Sequence, residues 1–148
     1  ADRAYLALGK LYTSEKKTED AKAAFQKYME KHPKDADALE QLASIAADAG
    51  DYADAATYYK DAMEAASGDQ VKELQKALVA VYEKNGDFAS ALEEAKDYVA
   101  DYPEDETMQK EYEFLQTRVL TGLENTGTDN TQQADDTAAD TTTEGNGQ

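Results

Sequence analysis

The stretch Lys31-His32-Pro33-Lys34-Asp35 returns in kind as Asp101-Tyr102-Pro103-Glu104-Asp105, with Ser67-Gly68-Asp69 at the intermediate place. Pro33 to Ser67 is a step of 34 residues, the period of a stacked helix-turn-helix repeat. Between these marks lie Ala49-Gly50-Asp51-Tyr52 and Asn85-Gly86-Asp87-Phe88. In each, the glycine can end one helix in the left-handed conformation, the aspartate can cap the next, and the aromatic enters the new helix. The chain therefore reads as pairs of short helices meeting at corners.

Composition agrees. Pro33 and Pro103 are the only prolines, and the residues before the tail are rich in Ala, Glu, Lys, Asp, Leu and Gln, all tolerant of helix. The spacing predicts helices over about 3–15, 18–31, 36–49, 52–66, 70–85, 88–101 and 105–121. Small residues at Gly9, Ala21, Ala43, Ala55 and Ala91 allow close helix approach, with Leu8, Tyr12, Phe25, Leu42, Tyr59, Leu78 and Tyr82 filling the space around them. One pair cannot bury both of its faces, so the pairs must stack. The seventh helix carries the stripe Met108, Tyr112, Leu115 and Val119 with a polar back, as a terminal cap requires. Ten tyrosines are expected mainly in the core, with Tyr58 and Tyr102 the exposed exceptions.

The register is specific enough to carry a family resemblance. Tyr5, Leu8, Gly9, Tyr12, Ala21, Phe25, Tyr28 and Pro33 fall opposite Leu39, Leu42, Ala43, Ala46, Ala55, Tyr59, Ala62 and Ser67. The third set reads Gln75, Leu78, Val79, Tyr82, Ala91, Ala95, Tyr98 and Pro103. This pattern is similar to that of tetratricopeptide repeats. It departs from the family at Gly9, replaced by Ala43 and Val79, and at the last small residue, where Tyr28 and Tyr98 stand; Gln70-Val71 look like an insertion between repeats. The resemblance implies an all-α fold, a right-handed α-α superhelix of three helix pairs plus a C-terminal capping helix. The repeat domain would cover 1–122, with repeats at about 2–35, 36–69 and 72–105 and the capping helix at about 105–121. Residues 123–148, Thr- and Asp-rich with six acids and no Lys or Arg, are expected to form a disordered acidic tail.

Several function classes are excluded by charge. The formal net charge of -17 argues against nucleic acid and anionic membrane surfaces, which attract clustered Lys and Arg. No cysteine is present for disulfides or thiolate chemistry, and no stretch approaches the ~20 apolar residues of a membrane span. His32, the only histidine, sits in a corner without a nucleophile motif, so a solvated turn explains it. Asp35-Ala36-Asp37 and Asp48-Ala49-Gly50-Asp51 lack calcium-loop spacing and read as helix caps. No catalytic residue, metal or cofactor is expected.

In tetratricopeptide arrays the first helix of each pair lines the concave face, and the resemblance carries that role onto three sets of residues. Repeat one would supply Arg3, Leu6, Ala7, Lys10, Thr13 and Ser14. Repeat two would supply Asp37, Glu40, Gln41, Ser44, Ala47 and Asp48, and repeat three Glu73, Lys76, Ala77, Ala80, Glu83 and Lys84. The implied function is non-catalytic recognition of a protein or peptide segment of mixed charge with an apolar anchor. The subset of the family that grips a terminal carboxylate needs cations and asparagines where this chain has Leu6, Lys10, Gln41, Glu73 and Ala77, so that specificity is not expected. The alternatives are a structural or self-associating segment of a longer array and an accessory module of a larger enzyme. The start at Ala1-Asp2-Arg3, the absent cysteine and the Thr/Asp/Gly/Asn tail suggest a processed or excised piece of a bacterial extracytoplasmic protein, with a cytoplasmic acidic scaffold the alternative.

Overall fold

Each corner marked by the sequence is a helix boundary in the computed structural model, which describes residues 1–128, with side chains through Gly122. The helices are α1 (Asp2–Ser14), α2 (Thr18–Met29), α3 (Ala36–Asp48), α4 (Tyr52–Ala65), α5 (Asp69–Lys84), α6 (Phe88–Asp101) and α7 (Glu106–Thr128). Each packs on the next along the chain. The pairs α1/α2, α3/α4 and α5/α6 build a right-handed α-α superhelix closed by α7.

The corners within pairs share one backbone device. Gly50 and Gly86 adopt φ of 83° and 76°, and the following amides, Asp51 N–H and Asp87 N–H, donate back to Ala46 O and Tyr82 O at 2.8 and 2.9 Å. The first pair does the same without glycine: Lys16 has φ 58°, and Lys17 N–H donates to Tyr12 O at 2.9 Å. A side chain in this left-handed region crowds the following carbonyl, so Lys16 holds a strained position that glycine fills in the later pairs. Asp87 caps α6 by accepting from Ser90 N–H, whereas Asp51 makes no side-chain cap.

Corners between pairs explain one departure from the repeat pattern. Tyr28 Oη donates to Asp35 Oδ2 at 2.6 Å while Asp35 Oδ1 accepts from Ala38 N–H at 3.1 Å. Tyr98 Oη donates to Asp105 Oδ2 at 2.7 Å while Asp105 Oδ1 accepts from Met108 N–H at 3.2 Å. Each tyrosine thus ties its helix to the cap of the next one. His32 stacks on Tyr28 at 4.5 Å, and Tyr102 lies 4.9 Å from Tyr98 in the corresponding place. The middle corner has Ala62 instead and no such tie; Gly68, at φ 62°, precedes α5 there. Gln70-Val71 are absorbed as an early turn of α5.

Helix separation is set by paired sizes. A Cβ on Gly9 would stand 2.8 Å from the ring of fully buried Phe25. At the equivalent places the later pairs hold Ala43 with Tyr59 and Val79 with Ala95, all buried. As the first member gains carbons, the second ends at alanine, so interior volume is kept. One core cluster joins α3 to α7, and a smaller one gathers Ala21, Phe25, Leu42 and Ile45.

Three expectations are corrected. Leu8 is not a core residue but 37% exposed, because no helix precedes α1 among the described residues. Tyr58 and Tyr102 are half-buried against the core, and the exposed tyrosine is Tyr5. α7 continues to Thr128 rather than ending at 121, since a helix already anchored through Met108 and Leu115 can propagate through polar residues. The rest of the expected tail, 129–148, lies outside the described residues.

Candidate functional site

The expected face is built on α1, α3 and α5, the first helices of the three pairs. In α1, Arg3, Ala7, Lys10, Thr13 and Ser14 are exposed. The two hydroxyls are turned onto their own helix: Thr13 Oγ1 donates to Gly9 O at 2.8 Å and Ser14 Oγ to Leu11 O at 2.6 Å. In α3, Asp37 and Asp48 are exposed, while Glu40, Gln41, Ser44 and Ala47 are half-buried. In α5, Glu73, Ala80 and Lys84 are exposed, and Lys76, Ala77 and Glu83 are half-buried.

Neighbouring helices draw some of these residues together. Gln70 Nε2, from the early turn of α5, donates to Asp37 Oδ1 at 2.7 Å and to Glu40 Oε2 at 3.2 Å, bridging α5 to α3. Lys76 is committed elsewhere: its Nζ lies 3.2 Å from Asp105 Oδ2, 3.7 Å from Glu73 Oε1 and 5.7 Å from the centre of the Tyr98 ring. The Asp105 carboxyl is held down at about 2, first by the Tyr98 hydroxyl, then by the Met108 amide and the Lys76 ammonium. Arg3, Lys10 and Lys84 form no ion pair among the described residues.

Glu83 is the one strongly perturbed acid of this face. Burial and the neighbouring Glu111 carboxylate of α7 push its pKa up to about 7. Near neutrality the Glu83 carboxyl therefore holds a proton for part of the time and can donate as well as accept.

The apolar lining differs from the expected one. Leu6 packs against the smaller cluster, and Ala47 and Ala77 against the larger, leaving Ala7 and Ala80 open. A residue outside the expected set adds a large apolar surface. Asp35 and Asp105 cap α3 and α7 alike, so the place of Ser44, nine residues after its cap, is taken in α7 by Phe114. Phe114 is 52% exposed and borders a depression of about 470 Å³ with Thr117, Arg118, Thr121 and Gly122. Arg118 lies over the Phe88 ring at 4.3 Å, which fixes one wall. The signal for Phe114 lay in the sequence: the Pro33/Pro103 corners, carried through α7, put it in register with Ser44. Among the described residues, no group of three His, Cys, Asp or Glu side chains could hold a metal ion, and no helix is long and apolar enough to cross a membrane.

Stacked helix pairs with an accessible face on their first helices define a helical-repeat solenoid. Residues 3–70 match the tetratricopeptide-repeat family model. With the same helix arrangement in solved tetratricopeptide-repeat domains, that match supports the tetratricopeptide-repeat family for this chain. It is similar to the N-terminal domain of stress-induced protein-1 (STI-1) from C. elegans, at 17% identity and a TM-score of 0.71, over 78% of this chain and 94% of that one. The P58(IPK) TPR domain gives 16% identity and a TM-score of 0.76, over 90% of this chain and 36% of that one. The TPR2B domain of yeast Sti1, solved as a pHsp70 complex, gives 16% identity and a TM-score of 0.62, over 79% and 97%. At these identities the likeness is one of fold. No curated protein matches the sequence.

Proposed function

We propose that this protein is a non-catalytic scaffold that binds a segment of another protein along the face formed by α1, α3, α5 and α7. Phe114 carries the reading: a large side chain left half in water, beside a depression and in register with Ser44 and Ala80, supplies the apolar anchor that a recognition groove needs. Arg3 and Lys10 at one end and the Asp37, Glu40 and Glu83 carboxylates further along give that face both signs of charge. A mixed-charge segment with one aromatic or aliphatic side chain inserted beside Phe114 fits it.

Tetratricopeptide domains of this fold have been solved with an Hsp70 segment and with the HSP90 peptide SRMEEVD, so binding of peptides is a use to which the fold lends itself. This chain offers a different chemistry. Leu6, Glu73 and Ala77 stand where a carboxylate grip would need cations and amides, so a peptide ending in Glu-Glu-Val-Asp is expected not to bind at micromolar concentration.

The test is a peptide selection on the immobilised chain, followed by calorimetric titration of the winners on the chain and on Phe114→Asp and Ala80→Glu. Both positions are exposed, so neither change disturbs the core. The expected result is a loss of at least ~tenfold in affinity for each, since an unpaired charge replaces an apolar contact. Selected peptides that bind all three proteins alike would remove this face from consideration.

A further inference from the structure

Where acids meet between neighbouring first helices, the chain supplies them with a donor in every case but one. Between α3 and α5, Gln70 Nε2 donates to Asp37 Oδ1 at 2.7 Å and to Glu40 Oε2 at 3.2 Å. Between α5 and α7, Lys76 Nζ stands 3.7 Å from Glu73 Oε1 and 3.2 Å from Asp105 Oδ2. About two turns further along α5, the half-buried Glu83 carboxyl comes within hydrogen-bonding reach of the half-buried Glu111 carboxyl of α7. Neither forms an ion pair among the described residues. Burial and the opposed carboxyl both raise the pKa of Glu83, and no cation lowers it.

The surrounding charges do not fill this gap. Lys84 and Lys110, next in sequence to the two acids, are exposed and do not act on Glu83. Asp87 of the α5–α6 corner accepts from Ser90 N–H, and Arg118 of α7 lies over the Phe88 ring. The repeat register makes the pair particular to this place, since its equivalents are Thr13 and Gln41, then Ala47 and Ala77, all uncharged. Glu111 also stands three residues before Phe114, so the two side chains lie one above the other on α7. Openness here belongs to the inner face: Ser44 and Ala80, at the place of Phe114 in repeats flanked on both sides, are half-buried and exposed.

Building on the reading of the α1, α3, α5 and α7 face as a binding groove, we propose that Glu83 and Glu111 form the subsite for a basic side chain of the bound segment. The partner is then a stretch that places an arginine, or a lysine, next to the apolar residue that meets Phe114. Two carboxylates drawn half out of water repel each other, and a shared site of this kind takes up a proton when nothing better is present. A guanidinium brings a fork of donors that can serve both carboxyls and takes the place of that proton. In an extended segment the basic residue stands two places from the anchor, in a helical one three, because those spacings put both side chains on one face. Residues 123–148 of this chain, with six acids and no Lys or Arg, have no such side chain to offer.

The probe is an array of capped peptides with a central leucine and randomised flanks, read with the full chain and its variants. On the parent and on the outer-face control Glu19→Gln, Arg or Lys two or three places from the leucine should be enriched at least ~fivefold; on Glu83→Gln with Glu111→Gln that enrichment should vanish. Calorimetric titration of the best arginine peptide on the unaltered chain gives a second reading. Replacing its arginine by glutamine should cost at least ~tenfold in affinity, and binding at pH 7 should release up to about half a proton, because free Glu83 titrates at about 7. Peptides that need Phe114 but show no basic preference, a preference that survives the double variant, or binding without proton release overturns the subsite and leaves the groove standing. Binding indifferent to Phe114→Asp, or no binder at all, overturns both. A dimer in sedimentation that Glu83→Gln dissolves also overturns the assignment to a partner, because a second copy then supplies the cation.

Discussion

Replacing Gly9 by valine and Phe25 by alanine transplants the Val79/Ala95 pair of the third repeat into the first. Alone, Gly9→Val drives new carbon atoms against a ring that already stands 2.8 Å from where a Cβ would be. Overpacking of that kind costs about 1–3 kcal/mol, from which the better helix propensity of valine over glycine recovers a few tenths. Alone, Phe25→Ala removes a fully buried ring and leaves a cavity, at about 3–5 kcal/mol. Together, the valine side chain occupies part of the space the ring vacates, and the clash disappears. The double variant should therefore be about 1–3 kcal/mol more stable than the sum of the single effects implies. Urea denaturation followed by helical circular dichroism reads this out, with the m-value checking that the same surface unfolds in all four proteins. Additivity within about 0.5 kcal/mol would mean that Gly9 and Phe25 do not compete for volume, and would undo the account of how helix separation is set.

Other consequences are open to measurement. Lys16→Gly should raise stability by up to about 1 kcal/mol by relieving the left-handed strain, while Gly86→Ala should lower it by a similar amount; equal signs would contradict the shared corner geometry. Tyr98→Phe should cost about 1–3 kcal/mol, because a fully buried ring loses its bond to the ionised cap of α7, and an unaffected melting curve would show that the tie is idle. Glu83 has a folded pKa raised to about 7, so its contribution is full below the ordinary carboxylate range and is lost as pH climbs toward and through 7. Stability should accordingly decline between pH 5 and pH 8, and Glu83→Gln should flatten that slope; an unchanged slope would acquit the Glu83/Glu111 pair.

Much of this molecule was legible in one dimension. The helix corners follow from Gly50, Gly86, Pro33 and Pro103, because left-handed φ and a fixed proline φ are properties of single residues. The stacking of pairs follows from the spacing of Leu42, Leu78 and their neighbours, because helical periodicity is a local property too. What lay beyond reach depends on which surfaces meet. Leu8 carries the same pattern signal as Leu42 and yet stays in water, since burial belongs to the neighbour and not to the residue. Tyr28 and Tyr98 read as departures from the repeat until Asp35 and Asp105 are seen to accept their hydroxyl bonds. Lys76 reads as a free groove cation, but the fold ties it to Asp105. Glu83 and Glu111 stand 28 residues apart and perturb one another only because α5 and α7 converge. The sequence by itself determined the helices, their order and the repeat. Tertiary structure alone decided which apolar and charged groups remain free to meet a partner, because that depends on contacts between distant segments that no local pattern encodes.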